Sequence, residues 1–281
     1  MKSAKIAALS ILFTVLLGGC ERYEIVETST QFKPKLVAFA TIDASQKKGS
    51  LMLSKTIPVI GGSDTITQPD YVSNAEVYLI NQNKQYPFSY DEVKKRYEVT
   101  LDSTAFKSGE HYTIKISTPN ETIVGTTFIP DAPKIECTIS TETIFVNGFY
   151  FNGVRFKYKL LTATANILLL PSLIGMDSSE NPLRISGGIK PVISVKNGET
   201  VEQLFQSIDD FPFQGTVARV KLQVVACDDA YAAHYNKFAS FDVGSFGEPF
   251  TQPKITSGNF SNGIGMCGSF KLSEELSFVV K

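Results

Sequence analysis

Tryptophan is absent from this 281-residue chain, histidine occurs twice and cysteine four times. Two histidines leave little material for a metal centre or a proton relay, and no Cys-x-x-Cys spacing suggests zinc. Charge of one sign is also lacking: 27 Lys+Arg stand against 28 Asp+Glu. A chain without a basic excess has no bulk attraction to nucleic acid, and one without an acidic block has no solvating tail. There is no Gly-x-Ser-x-Gly elbow and no His-Glu-x-x-His, so two common hydrolase signatures are missing. What remains is an ordinary globular composition, 43% hydrophobic and 20% charged with 20 Gly and 13 Pro. Collagen, long coiled coil and wholesale disorder are excluded. Neither a metal nor a cofactor is expected, and the ligand is unknown from sequence.

The one continuous apolar stretch lies at the start. Lys2 and Lys5 precede an apolar run over 6–17, too short for the ~20 helical residues that span a bilayer. The run ends in Leu17-Gly18-Gly19-Cys20. Small residues before a cysteine let a peptidase cut between Gly19 and Cys20, and the thiol then carries lipid. This resembles the lipobox of a bacterial lipoprotein. The expectation is a signal peptide over 1–19, a lipidated tether over 20–35 and a body anchored by acyl chains outside the cytoplasm.

From residue 36 the pattern becomes short alternating runs with turn residues between them. Strands are predicted over 36–41, 51–56, 75–80, 97–101, 112–117 and 122–129. In the fifth, Tyr112, Ile114 and Ile116 share one face, with Thr113, Lys115 and Ser117 on the other, which is period two. Gly61-Gly62, Pro69-Asp70, Gly109 and Pro119-Asn120 punctuate the runs. This spacing predicts an immunoglobulin-like β-sandwich over 36–132. Pro130-Asp-Ala-Pro133 reads as a linker. A second β-rich domain is predicted over 133–281, with strictly alternating strands over 154–160 and 218–224 and weaker ones over 165–170, 191–196 and 270–280. Two short helices are predicted in it. One opens at Thr200, whose spacing to Gln203 fits a capping box, and runs to about 207. The other is capped by Asp228 and runs to about 239, with Tyr231, Tyr235 and Phe238 on one face. The fold class is therefore mainly β.

Candidate chemical residues are sparse. With Cys20 lipidated, Cys137, Cys227 and Cys267 remain. Cys227 and Cys267 fall in predicted strands and form one candidate disulfide; the alternative is three buried thiols. The run Gly258 to Gly268 lacks the following helix and the Lys-Ser/Thr of a phosphate loop, so its glycines are read as serving a bulge, turn or close backbone approach. His234 has Phe238, not histidine, at i+4, and His111 precedes a strand in the other domain, so neither reads as a metal ligand or a catalytic group. Asp209-Asp210 reads as a turn, and Asp228-Asp229 as a helix cap rather than a calcium loop. Aromatics cluster at Tyr86-Pro-Phe-Ser-Tyr90 and over 145–151, suited to closing a sandwich core or, outward, to stacking on sugars or peptides.

The order of these features resembles the DUF4249 family of Bacteroidetes lipoproteins. The residues that carry the likeness are Asn74-Ala75-Glu76-Val77, Gly109-Glu-His-Tyr112-Thr-Ile114, the aromatic-rich stretch Asp228 to Phe238, and Ser257 to Gly268. In that last stretch Met266 and Cys267 replace the family's aromatic region. The resemblance implies an outer-membrane location and companionship with a TonB-dependent receptor in nutrient uptake. It carries over no catalytic residues. The expected role is a noncatalytic accessory or ligand-binding subunit, on the cell surface rather than the periplasmic face. A surface adhesion or assembly protein is the alternative, and a glycan or peptide hydrolase the third reading.

Overall fold

The computed structural model describes residues 33–56, 69–102, 106–146, 149–175, 182–183, 185–186, 190–207, 217–242 and 258–279. The expected signal peptide and Cys20 lie outside them.

Alternation sets the strands. The first half contributes β1 (Leu36–Asp43), β2 (Lys48–Lys55), β3 (Asp70–Tyr71), β4 (Glu76–Asn81), β5 (Lys84–Pro87), β6 (Ser89–Asp91), β7 (Arg96–Thr100), β8 (His111–Ser117) and β9 (Thr122–Phe128). The second contributes β10 (Ile135–Val146), β11 (Phe149–Leu160), β12 (Ala165–Gly175), β13 (Pro182–Leu183), β14 (Ile185–Ser186), β15 (Ile193–Val195), β16 (Thr200–Ser207) and β17 (Val217–Cys227). The chain then forms α1 (Asp229–Asp242), β18 (Phe260–Ser261), β19 (Ile264–Leu272) and β20 (Leu276–Val279). The protein is mainly β, as its sequence pattern predicts.

One large sheet runs in the order β13-β12-β17-β19-β1-β2-β7-β6. Two smaller sheets, β18-β9-β8-β4-β5 and β10-β11-β16-β14, supply facing layers. In the first core, Leu36, Ala38, Ala40 and Ile42 of β1 meet Tyr112, Ile114 and Ile116 of β8. In the second, Val154, Phe156 and Tyr158 of β11 meet Val220, Leu222 and Val224 of β17. Each buried Val, Leu, Ile or Phe side chain stabilises by roughly 1.5–3 kcal/mol relative to exposure. Helix α1 covers the opposite face of the large sheet, where Ala232 packs with Leu168, Val225 and Cys227.

The large sheet crosses the Pro130–Pro133 segment. Strand β19 lies between β17, with which it is antiparallel, and β1, with which it is parallel. Residues 34–281 accordingly form one compact unit. Cys267 of β19 belongs to the first core although it follows the second in sequence.

The predicted helix from Thr200 is a correction: this segment is β16, antiparallel to β11. Its capping-box spacing is a local signal. Gln203 and Phe205 are buried and Glu202 is exposed on the other face, a period-two pattern that the adjacent β11 rewards with a ladder. Glu202 pairs there with Lys157 at 3.3 Å. The aromatic stretch over 145–151 sits at the end of the β10–β11 hairpin, where Val146 pairs with Phe149; its side chains lie outside the described residues, as do Asp209 and Asp210. Tyr86, Phe88 and Tyr90 pack on the first core.

Candidate functional site

The C-terminal glycine run builds a seam between the sheets. Strand β18 pairs with β9, and β19 pairs with β1, so the segment crosses from one sheet to the other. Asn259 stitches both: its Nδ2 donates to the Thr126 and Cys267 carbonyls, each at 2.7 Å, and its Oδ1 accepts from the Cys267 amide at 2.8 Å. The Ser269 hydroxyl donates to the Phe128 carbonyl at 2.6 Å. Gly265 holds φ +125°, and a Cβ there would run into the Ala38 carbonyl oxygen. The glycines thus serve close backbone approach.

Asp228 ties α1 into this seam. Its Oδ1 accepts from the Tyr231 amide at 2.8 Å, an N-cap bond. Its Oδ2 accepts from the buried Thr127 hydroxyl at 2.5 Å. Its own amide donates to the Ser269 carbonyl at 3.1 Å. Burial raises its carboxyl pKa above the ordinary 3.8, opposed by the hydrogen bonds from Thr127 and from the Tyr231, Ser269 and Phe128 amides. The predicted cap is therefore present, and it also bridges strands and helix.

Beside this junction lies a cavity of ≈ 500 Å³. Its walls come from the ends of β8 and β9, from Pro130 and Asp131, from the turn at residues 162–166, and from the β17–α1 junction. Phe128 is 38% exposed and stands 5.1 Å from the His111 ring, centroid to centroid. The pair is cross-strand, His111 opposite Phe128. On the far side, Asn166 Nδ2 donates to Asp229 Oδ1 at 2.8 Å and fixes that carboxylate. Asp131, Asp228 and Asp229 line the cavity with no lysine or arginine among the lining residues. The size falls within the range of small-molecule sites.

The other sequence candidates lie apart. His234 of α1 sits 5.2 Å from Phe39, and burial, followed by Lys237, lowers its pKa. The candidate disulfide is not formed: Cys227 and Cys267 are both free. They point to opposite faces of the large sheet, Cys227 towards α1 and Cys267 into the first core. Burial pushes the Cys227 thiol up to about 12, the Cys137 thiol to about 11 and the Cys267 thiol higher still. None of them is a poised nucleophile. Among the described residues no cluster of three or more His, Cys, Asp or Glu suits a metal ion, and no helix is long and apolar enough to cross a membrane.

Sequence reading named His111, the Pro130–Pro133 linker, Cys227 and Asp228-Asp229 separately but did not bring them into one cleft. Pro130-Asp-Ala-Pro133 carries a turn signal, and Thr162-Ala-Thr-Ala-Asn166 is a run of small and polar residues. Nothing local says that the two meet.

Comparison with known proteins gives a family but no activity. A family model described as a domain of unknown function, DUF4249, matches residues 21–275. No curated protein matches the chain. The chain belongs to the DUF4249 family.

Proposed function

We propose that this DUF4249 protein is a lipid-anchored, noncatalytic ligand-binding subunit that accompanies a TonB-dependent receptor in the outer membrane, displayed at the cell surface. The observation that carries the reading is the ≈ 500 Å³ cleft on a chain that also bears Leu17-Gly18-Gly19-Cys20. A lipid tether confines the cleft to the membrane plane and raises the effective concentration of a weak partner or ligand. A binding role suits the lining. Cys227, the thiol beside the cleft, has its pKa pushed to about 12. Asp228 already holds the helix cap and Thr127.

A second reading, a surface assembly protein that works by strand addition, has one observation in its favour. Strand β10 has β11 as its one partner among the described residues, and Ile135–Val146 contains no proline, glycine or lysine to blunt the open edge.

The test is affinity capture from gently solubilised native membranes, with bound proteins identified by mass spectrometry. Stoichiometric recovery of a β-barrel receptor is the expected result, and Cys20→Ala should abolish both lipid labelling and recovery. The protein captured alone refutes the accessory role; ladders of the protein with itself favour assembly.

A further inference from the structure

We infer that the cleft selects a small ligand through a primary ammonium group carried on an otherwise neutral body. The inference rests on the reading of the cleft as a ligand site. It is argued from what the walls offer and what they exclude.

The cavity of ≈ 500 Å³ has room for a molecule the size of a short peptide or an amino sugar. An anion finds no lysine or arginine to pair with in it. The lining holds three aspartates and no lysine or arginine. The helix N-terminus at the floor, which otherwise attracts negative charge, is filled by Asp228 itself. Asp131 and Asp229 form no ion pair among the described residues, whereas Glu98, Glu142 and Glu202 on the surface are each held by lysine or arginine. The Asn166 bond fixes one oxygen of Asp229 and orients the other.

The remaining walls favour an organic cation over a metal. The lining acids and His111 do not assemble into a metal-ligating group. Phe128 is 38% exposed at the cleft, and an open aromatic face attracts an ammonium within about 6 Å of its centre. Ala163, Ala165 and Ala230 add small, neutral side chains to the lining, suited to the uncharged remainder of the ligand. The recognition therefore combines a carboxylate, a ring face and an apolar wall.

The test is calorimetric titration of the full, lipidated chain in detergent with four probes: trialanine amide, N-acetyl-trialanine amide, glucosamine and N-acetylglucosamine. A free amine should bind, and its acetylation should weaken binding by about tenfold or more. Asp131→Asn, at an exposed position, should reproduce about that loss for the free amine only, and Phe128→Leu about threefold. Binding should also weaken with added salt. Preference for trialanine amide over glucosamine identifies a peptide source, and the reverse an amino sugar. Equal binding of the acetylated probes, or no effect of Asp131→Asn, overturns the ammonium inference while leaving a ligand site in the cleft. Failure of all four probes overturns it as well. Receptor capture is a separate readout, so the accessory role stands or falls on its own.

Discussion

Removing the Asp228 carboxylate should unlock the seam between α1 and β9. In Asp228→Ala the helix loses its N-cap bond to the Tyr231 amide, which costs about 1 kcal/mol. The Thr127 hydroxyl, 3% exposed, loses its acceptor; an orphaned buried hydroxyl costs about 1–3 kcal/mol. The expected loss is about 2–4 kcal/mol, read as a lower urea midpoint with unchanged slope. Asp228→Asn separates charge from geometry. Asparagine caps as well as aspartate, its Oδ1 can still accept from Tyr231, and its amide can donate to the Thr127 oxygen. Stability at neutral pH should stay within about 1 kcal/mol of the parent.

The pH dependence gives the sharper test. Burial raises the Asp228 pKa in the folded state above the ordinary 3.8, so the folded protein holds this proton more tightly than the unfolded chain. The stabilising contribution is full below 3.8 and is lost as pH rises through the raised folded value. Asp228→Asn has no such loss. The difference in stability between the two proteins should therefore shift in favour of asparagine as pH climbs from about 4 towards neutrality. A difference that stays flat, or moves in favour of aspartate, refutes the claim that burial dominates at this carboxylate. An Asp228→Ala variant within about 0.5 kcal/mol of the parent refutes the bridging role.

Three further outcomes follow from contrasts within the molecule. Tyr97 and Tyr158 are almost equally buried, but the Tyr97 hydroxyl donates to the Val72 carbonyl and accepts from the Ala75 amide, both at 2.9 Å, while the Tyr158 hydroxyl has no partner among the described residues. Tyr97→Phe should cost about 1–3 kcal/mol in denaturation midpoint analysis, and Tyr158→Phe should be neutral or stabilising. Gly265 and Gly198 both have positive φ, but a Cβ meets the Ala38 carbonyl at the first and open space at the second; Gly198→Ala should cost about 1–2 kcal/mol from backbone strain alone, and Gly265→Ala should prevent folding, as judged by soluble yield and proteolysis. Cys227 and Cys267 should resist alkylation at pH 8 in the native protein and react without prior reduction once it is unfolded, because both are buried free thiols; a mass showing a 227–267 bridge would contradict the sheet geometry.

Much of the strand content was legible because it is written in local alternation. Tyr112, Ile114 and Ile116 are buried with Lys115 outward, as period two requires. The Asp228 cap was legible for the same reason, since an N-cap acts within three residues. The Thr200 segment misled because a capping-box spacing competes with β-pairing, and β11 lies beside it. The Cys227–Cys267 candidate was undecidable from sequence, because it turned on which face of a shared sheet each side chain takes. The cleft was least legible. Thr127 and Asp228 are 101 residues apart in sequence, and no periodicity reports a contact across that distance.

The cleft floor depends on the register of β19, and this gives the glycine run its part in the site. A slip of one residue exchanges the two faces of a strand. In β19 it would send Met266 and Phe270 towards the first core and turn Cys267 and Ser269 towards α1. The Ser269–Phe128 bond and the Ser269 carbonyl that receives the Asp228 amide would both be lost. Two glycines oppose such a slip. Gly265 is the residue that passes Ala38 at positive φ, and Gly268 lies under Tyr231, where a Cβ would stand 2.9 Å from the Tyr231 Cβ. Any neighbour in β19 moved into either place brings a side chain into a space that has none. Positioned this way, α1 presents Asp228 to Thr127 and Asp229 to Asn166. The glycines touch no ligand, but they hold the strand that holds the helix, and the helix carries the acidic wall.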